Sequence, residues 1–170
     1  MNVSGRQLDH DVIVDDVREA LDRSGLDPSM LTIEVTETAL MRNTETTARR
    51  LRELKALGVQ LAIDDFGTGY SSLAYLEKFP VDCLKIDRAF TSAMSSSTES
   101  RALVRTLVQL GRDLGLTTLA EGVETTEQVD RLRDEHVDLA QGFLMSRPMD
   151  PETLATTILQ LAPEVVVPPA

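Results

Sequence analysis

Apolar positions along the chain alternate between two patterns. Short runs rich in branched aliphatics occur at residues 31–35 (LTIEV), 59–63 (VQLAI), 83–86 (CLKI), 117–120 (TTLA) and 137–140 (VDLA). Each has strand length, and such near-continuous hydrophobicity is that of parallel strands covered on both faces. Between them the period lengthens to that of a helix. Residues 44–57 put Ala48, Leu51, Leu54 and Leu57 on one face, and Gly58 follows as a stop. Residues 101–114 repeat the design and end at Gly115. Thr125-Thr126-Glu127-Gln128 reads as a capping box opening a helix that turns Val129 and Leu132 inward. Asp150-Pro151 sets a cap and a first-turn proline before Leu154, Ile158 and Leu161. The stretch from Leu8 to Leu21, closed by Gly25, predicts one more helix of this kind.

Strand alternating with helix predicts an α/β fold on a parallel sheet, with doubly wound and barrel arrangements both compatible. Residues 95–98 (SSST) form a polar connection too short for a domain linker. The chain therefore reads as one domain over residues 1–162, followed by a tail, 163–170, that ends VVVPPA. At 170 residues and 42% hydrophobic, it can fill one core.

Charge narrows the partners. A net charge of −11 repels phosphate backbones, which argues against a nucleic-acid polymer but not against a small phosphate ester held through metal ions. The lone cysteine, Cys83, excludes an intramolecular disulfide and fits a reducing compartment. No run approaches the ~20 apolar residues of a membrane span, and the first residues lack a signal-peptide core. A soluble, cytoplasmic domain without membrane insertion is expected.

Candidate chemistry lies at the strand ends. The first strand ends in Glu34-Val35-Thr36-Glu37 and the second in Asp64-Asp65; the third holds Lys85 and is followed by Asp87. The fourth ends in Glu121-Gly122-Val123-Glu124 and the fifth in Gln141-Gly142. From Glu34 through Asp64, Lys85 and Glu121 to Gln141 the intervals are 30, 21, 36 and 20 residues, which suit βα units. A parallel barrel would bring all these groups to its C-terminal rim. Any one of these acids could simply cap a helix. Seven sharing a rim with Lys85 would repel one another and raise one another's pKa, a penalty that hard divalent cations such as Mg2+, Mn2+ or Ca2+ remove. The adjacent pair Asp64-Asp65 could help bridge two metals, and two ions about 4 Å apart are a common means of cleaving phosphodiesters. The glycine-bearing stretch 64–73 (DDFGTGYSSL) is expected to fold over such a site and to place Asp65. His10 and His136 read as surface or packing residues within helices, and Cys83 as core. Arg49, Arg50, Arg52 and Lys55 read as a solvated helix face.

The segment IDDFGTGYSSLAYLEKFPVDCLKIDRAF, residues 63–90, resembles the central signature of the EAL-domain family. NVSGRQL at 2–8, IEVTE at 33–37, AEGVET at 120–125 and QGFLMSRPM at 141–149 resemble its other strand ends, in the same order and spacing. The resemblance spans residues 2–162. It implies a modified (β/α)8 TIM barrel, here incomplete with about six of eight strands, that hydrolyses cyclic di-GMP to the linear dinucleotide pGpG with two Mg2+ or Mn2+ ions. By position it implies Asn2, Glu34, Asp64, Asp65 and Glu121 as metal ligands. It implies Lys85 beside the nucleophilic water, with Asp65 and Glu121 best placed to take the proton. Gln141 would contact the same water network. Glu37 would anchor the 64–72 loop, which the family also links to dimerisation and regulation.

The departures carry equal weight. The family's first two strands, with the EAL-motif glutamate and the phosphate-gripping arginine after it, lie upstream of Asn2. Met1 stands where relatives usually have valine, as a GTG codon read as a start would give. These residues alone are therefore expected to be impaired in hydrolysis and to self-associate through open strand edges. The alternative is a catalytically inactive module that binds cyclic di-GMP or a protein partner. A Mg2+-dependent barrel of the enolase type, with Lys85 as base, leaves the 64–73 loop without a purpose.

Overall fold

The computed structural model describes residues 1–67, 76 and 78–161. Residues 68–73 of the expected 64–73 loop and the tail 163–170 lie outside these residues. Five strands form one all-parallel sheet: β1 Thr32–Thr36, β2 Gln60–Phe66, β3 Cys83–Ile86, β4 Thr117–Ala120 and β5 Leu139–Ala140. They pair strictly in chain order. A doubly wound sheet reverses direction at a switch point, whereas a barrel wall advances one way. The unreversed order decides for the barrel. A further row precedes β1: Asn2 bridges Glu34 in parallel, Val3 N–H donates to Glu34 O at 2.9 Å, and Glu34 N–H donates to Met1 O at 2.8 Å.

Period-two alternation sets the two faces of this wall. Ile33, Val35, Leu61, Ile63, Leu84 and Ile86 are buried beneath the helices. Thr32, Glu34, Gln60, Ala62, Cys83, Lys85, Thr117, Leu119, Leu139 and Gln141 line the other face, around a cavity of about 360 Å³. The helical layer comprises α1 Gly5–Asp9, α2 Val12–Ser24, α3 Glu37–Met41, α4 Thr44–Lys55, α5 Arg88–Ala93, α6 Thr98–Leu114, α7 Thr126–Asp134 and α8 Pro151–Leu161. Leu51 and Leu54 of α4, with Val104 and Val108 of α6, close the core. Among the described residues, no helix is long and apolar enough to cross a membrane.

Several boundaries differ from expectation. The single helix expected over 8–21 is two. Ser4 and Gln7 form a capping box that starts α1 early, and His10 is extended at φ −98° and ψ 140°. The reason is phase: Val12, one turn after Leu8, is 59% exposed, whereas Ile13, Val14, Val17 and Leu21 are buried. Helix α6 starts at Thr98 because the Ser97 hydroxyl accepts from Ser100 N–H at 3.0 Å. The capping box at Thr125 and Gln128 is formed as expected. On α8, Leu154 and Ile158 are exposed. His136 lies in the turn after α7 at φ 61°, outside any helix. Arg50 is buried, not solvated; it pairs with Glu53 at 2.5 Å and with Asp11. Lys55 pairs with Asp82 at 2.6 Å.

Candidate active site

Lys85 points inward from β3, and its side chain is only 5% exposed. Its ammonium lies 2.6 Å from Glu34 Oε2 on β1, 2.6 Å from Glu121 Oε1 beyond β4, and 2.9 Å from Asp64 Oδ1 on β2. Burial alone would lower its pKa, but the hydrogen bonds to Glu121, Glu34 and Asp64 outweigh it and hold the pKa above the ordinary value. The lysine is a fixed cation at neutral pH.

The Asp64-Asp65 pair needs a special backbone. Successive side chains of a regular strand face opposite ways, so two adjacent aspartates cannot serve one site. Here the β2–β3 register slips between Ile63 and Phe66, and Asp65 takes φ 54°. Aspartate tolerates this left-handed conformation better than most residues. Asp65 N–H donates to Asp64 Oδ1 at 3.2 Å. In consequence Asp64, Asp65 and Glu121 each offer a carboxylate oxygen, all within 4.8 Å of one another. Burial raises the Asp65 carboxyl, and the charge of Asp64 and a hydrogen bond with Asp87 add to the rise. Burial also raises Glu121, against the pull of Lys85. One ammonium cannot neutralise this many acids. The remainder is a hard, oxygen-only donor set of the kind that suits a divalent cation.

Gln141 Nε2 donates to Glu121 Oε1 at 2.8 Å. That contact depends on a close approach of two loops: Val123 N–H donates to Gln141 O at 3.1 Å, and Leu144 N–H to Val123 O at 3.0 Å. A Cβ on Gly142 would lie 2.1 Å from Val123 O and 2.2 Å from Val123 N, so only glycine fits between them. Glu37 is buried and accepts from Gly67 N–H at 3.3 Å, at the first turn of the expected loop. Asn2 is exposed and set beside Glu34 by backbone pairing.

The expected rim of seven acids is smaller than the sequence suggests. Glu124 is turned away to Arg88 at 2.7 Å, Glu37 is taken by Gly67 N–H at 3.3 Å, and Asp87 caps α5 through Ala89 N–H at 2.6 Å while also meeting Asp65. Glu34, Asp64, Asp65 and Glu121 around Lys85 remain. Cys83 is not in the core as expected but half-buried on the cavity face; burial pushes its thiol up to about 11, which leaves it unreactive at neutral pH. The tripeptide Glu19-Ala20-Leu21 stands on α2, with Glu19 exposed and paired with Arg23, and brings no carboxylate to the site. Sequence reasoning missed Arg88, Phe143 and Arg147, which line a cavity beside Glu121 and Gln141. The available signal was an aromatic and a cation four residues apart, directly after a functional strand end.

A parallel barrel wall with a buried lysine ringed by strand-end carboxylates defines a class of site suited to metal-assisted chemistry on an anionic substrate. The chain belongs to the EAL domain family, which it matches over residues 1–148. It is 45% identical over 149 residues to the cyclic di-GMP phosphodiesterase NbdA of Pseudomonas aeruginosa, covering 88% of this chain and 19% of that protein. The solved structure of the phosphodiesterase PaMucR in complex with c-di-GMP is similar at a TM-score of 0.86 and 46% identity, over 90% of this chain and 62% of that one. Klebsiella pneumoniae BlrP1, solved with manganese and cyclic di-GMP, is similar at 0.81 and 38% identity, over 87% of this chain and 38% of that one. The chain spans about a fifth of the length of the curated relatives it matches. The expected α/β barrel of the EAL type, incomplete within these residues, is the fold observed.

Proposed function

We propose that this domain hydrolyses cyclic di-GMP to pGpG with two Mg2+ or Mn2+ ions. The single observation that carries the reading is the buried Lys85 ammonium bonded at once to Glu34, Asp64 and Glu121. Asn2, Glu34, Asp64, Asp65 and Glu121 would hold the ions, and the close carboxylate oxygens of Asp64, Asp65 and Glu121 support that fit. When bound, such ions neutralise phosphoryl oxygens and lower the pKa of water. Lys85, kept protonated, cannot be a base; it donates to the attacking water or to a phosphoryl oxygen. Asp65 and Glu121, both raised, are the groups suited to take the proton from that water. Gln141 holds the Glu121 carboxylate in orientation through its amide.

The family's motif glutamate has no counterpart in residues 1–170, and Glu19 does not replace it. We expect these residues alone to turn over slowly, and a chain extended upstream through that strand to turn over fast. The competing reading is a module that binds cyclic di-GMP or a protein partner without hydrolysing it. Metal-dependent release of pGpG separates the two. In the extended chain, Lys85→Ala or Asp65→Asn should lower turnover by about 10²–10³-fold while nucleotide binding partly survives. An extended chain that binds cyclic di-GMP but releases no pGpG would leave only the binding module.

A further inference from the structure

We infer that Arg50 is a positioning residue for Asn2: by gripping Asp11 it fixes the turn between α1 and α2 on α4, and so keeps the Asn2 row docked on β1. The inference rests on the metal-assisted reading above, in which Asn2 helps to hold an ion. That row is an isolated bridge rather than a strand, tied to β1 by Val3 N–H on Glu34 O and by Glu34 N–H on Met1 O. From it the chain enters α1 directly, through the Ser4–Gln7 capping box. A helix of five residues cannot hold its own place in water, so α1 has to be fixed from outside.

Charge at the following turn supplies that anchor. Asp11 stands at the N-cap of α2, where an aspartate ordinarily bonds the first amides of its helix, yet its carboxylate makes no such bond. It reaches across to α4 instead, to Arg50 and, at 3.8 Å, to Arg49. Asp9, on the other side of His10, lies 3.8 Å from Arg42. Arg50 is the buried member of the set, its side chain 3% exposed against 85% for Asp11. It also meets Glu53 at 2.5 Å, and among the described residues its Nε is buried without a hydrogen-bond partner. A methionine would fill this place without a stranded donor, so packing does not account for the guanidinium. What the guanidinium adds is direction. A planar fork aimed at Asp11 allows one placement of the turn, whereas apolar contacts through Leu8 and Ile13 tolerate sliding. With the turn fixed, α1 cannot drift from the wall and the Asn2 row stays beside Glu34.

The test uses the full chain, with Mn2+ as the probe. In hydrogen exchange without metal, Arg50→Met and Asp11→Asn should lose protection at the Val3 and Glu34 amides while the amides of β3 and β4 keep theirs. Calorimetry should show Mn2+ binding weakened about 10-fold in both variants. Asp11→Glu, which keeps the carboxylate, should bind Mn2+ as the parent does. Because Asp11 is exposed, Asp11→Asn should fold even if Arg50→Met does not. Asn2→Ala should weaken Mn2+ binding by itself, and adding Asp11→Asn should then change it no further, since the effect is transmitted through Asn2. Asp11→Asn exchanging at Val3 and Glu34 as the parent does, or weakening Mn2+ binding by the same factor with and without Asn2, would overturn the positioning role and leave the phosphodiesterase reading intact. A parent chain that binds no Mn2+ would overturn that reading and the role of Asn2 with it.

Discussion

Replacing Lys85 by methionine keeps the side-chain volume but removes the charge that three carboxylates share. The ammonium sits 2.6, 2.6 and 2.9 Å from Glu34, Glu121 and Asp64, and those acids are only 22%, 17% and 15% exposed. Breaking a buried pair by deleting one partner costs about 3–5 kcal/mol. Residual water at the rim argues for the lower figure, about 3 kcal/mol. For a domain of this size that corresponds to a fall of roughly 6–12 °C in Tm. The sign with pH follows from linkage. Lys85 has a folded pKa above the unfolded value of 10.5, so its contribution is fully present at neutral pH and fades only above that value. In Lys85→Met, Glu121, already raised by burial, loses the pull of Lys85 and rises further above its unfolded value. The deficit should therefore be small at pH 4 and widen as the pH rises to 7. Differential scanning calorimetry without metal, from pH 4 to 8, measures it. Mn2+ should recover more of the loss in Lys85→Met than it adds to the parent, because the ion then replaces the missing cation. A variant that melts with the parent across this range would refute the claim that Lys85 neutralises the site.

Other perturbations reach different parts of the same frame. Mg2+ or Mn2+ should raise the melting temperature of the parent by mass action, and Asp64→Asn should weaken that rise in a thermal-shift titration. Glu135 is held at about 2 by Arg105, with Arg101 adding to the effect, so its stabilisation is present above 4.5 and lost as the pH falls toward 2. Since Arg105 is largely and Arg101 partly exposed, Glu135→Gln should cost only about 1 kcal/mol at pH 7, and its acid-unfolding curve should be flatter there. Gly142→Ala should destabilise by about 1–3 kcal/mol and weaken the metal response, because the added methyl separates Gln141 from Glu121. Leu139, Leu144 and Met145, exposed at and beyond β5, should drive self-association of residues 1–170; a clean monomer by light scattering at high concentration would exclude it.

What the sequence could and could not convey follows from how local each signal is. Strands β3 and β4 match their expected bounds because buried parallel strands write themselves as unbroken aliphatic runs. The helix stops at Gly25 and Gly115 are legible because both adopt the left-handed cap that glycine favours. The break at His10 is not, since a one-residue phase shift between Leu8 and Ile13 hides inside a continuous apolar pattern. Arg50 looks like a surface cation because its partner, Asp11, stands 39 residues upstream. The strand-end periodicity gathers Glu34, Asp64, Lys85, Glu121 and Gln141 correctly. It overcounts with Glu124, whose side chain is taken by Arg88. Nor can it show how Asp65 joins Asp64, because a register slip is a property of two strands and not of one.

The strand order also bears on when the site exists. Glu34 belongs to the first βα unit, Asp64 to the second, Lys85 to the third, Glu121 to the fourth and Gln141 to the fifth. No unit, and no pair of neighbours, contains a working set. Lys85 cannot reach Glu34 unless β2 lies between them, nor Gln141 reach Glu121 unless β5 has docked on β4 by its two residues. The short β5 makes that last junction the weakest, and it should exchange its amide hydrogens first. Local opening there would release Gln141 and loosen Glu121 while leaving most of the core protected. The carboxylate cluster is thus a report on the whole wall, and its occupancy should rise and fall with the docking of a two-residue strand.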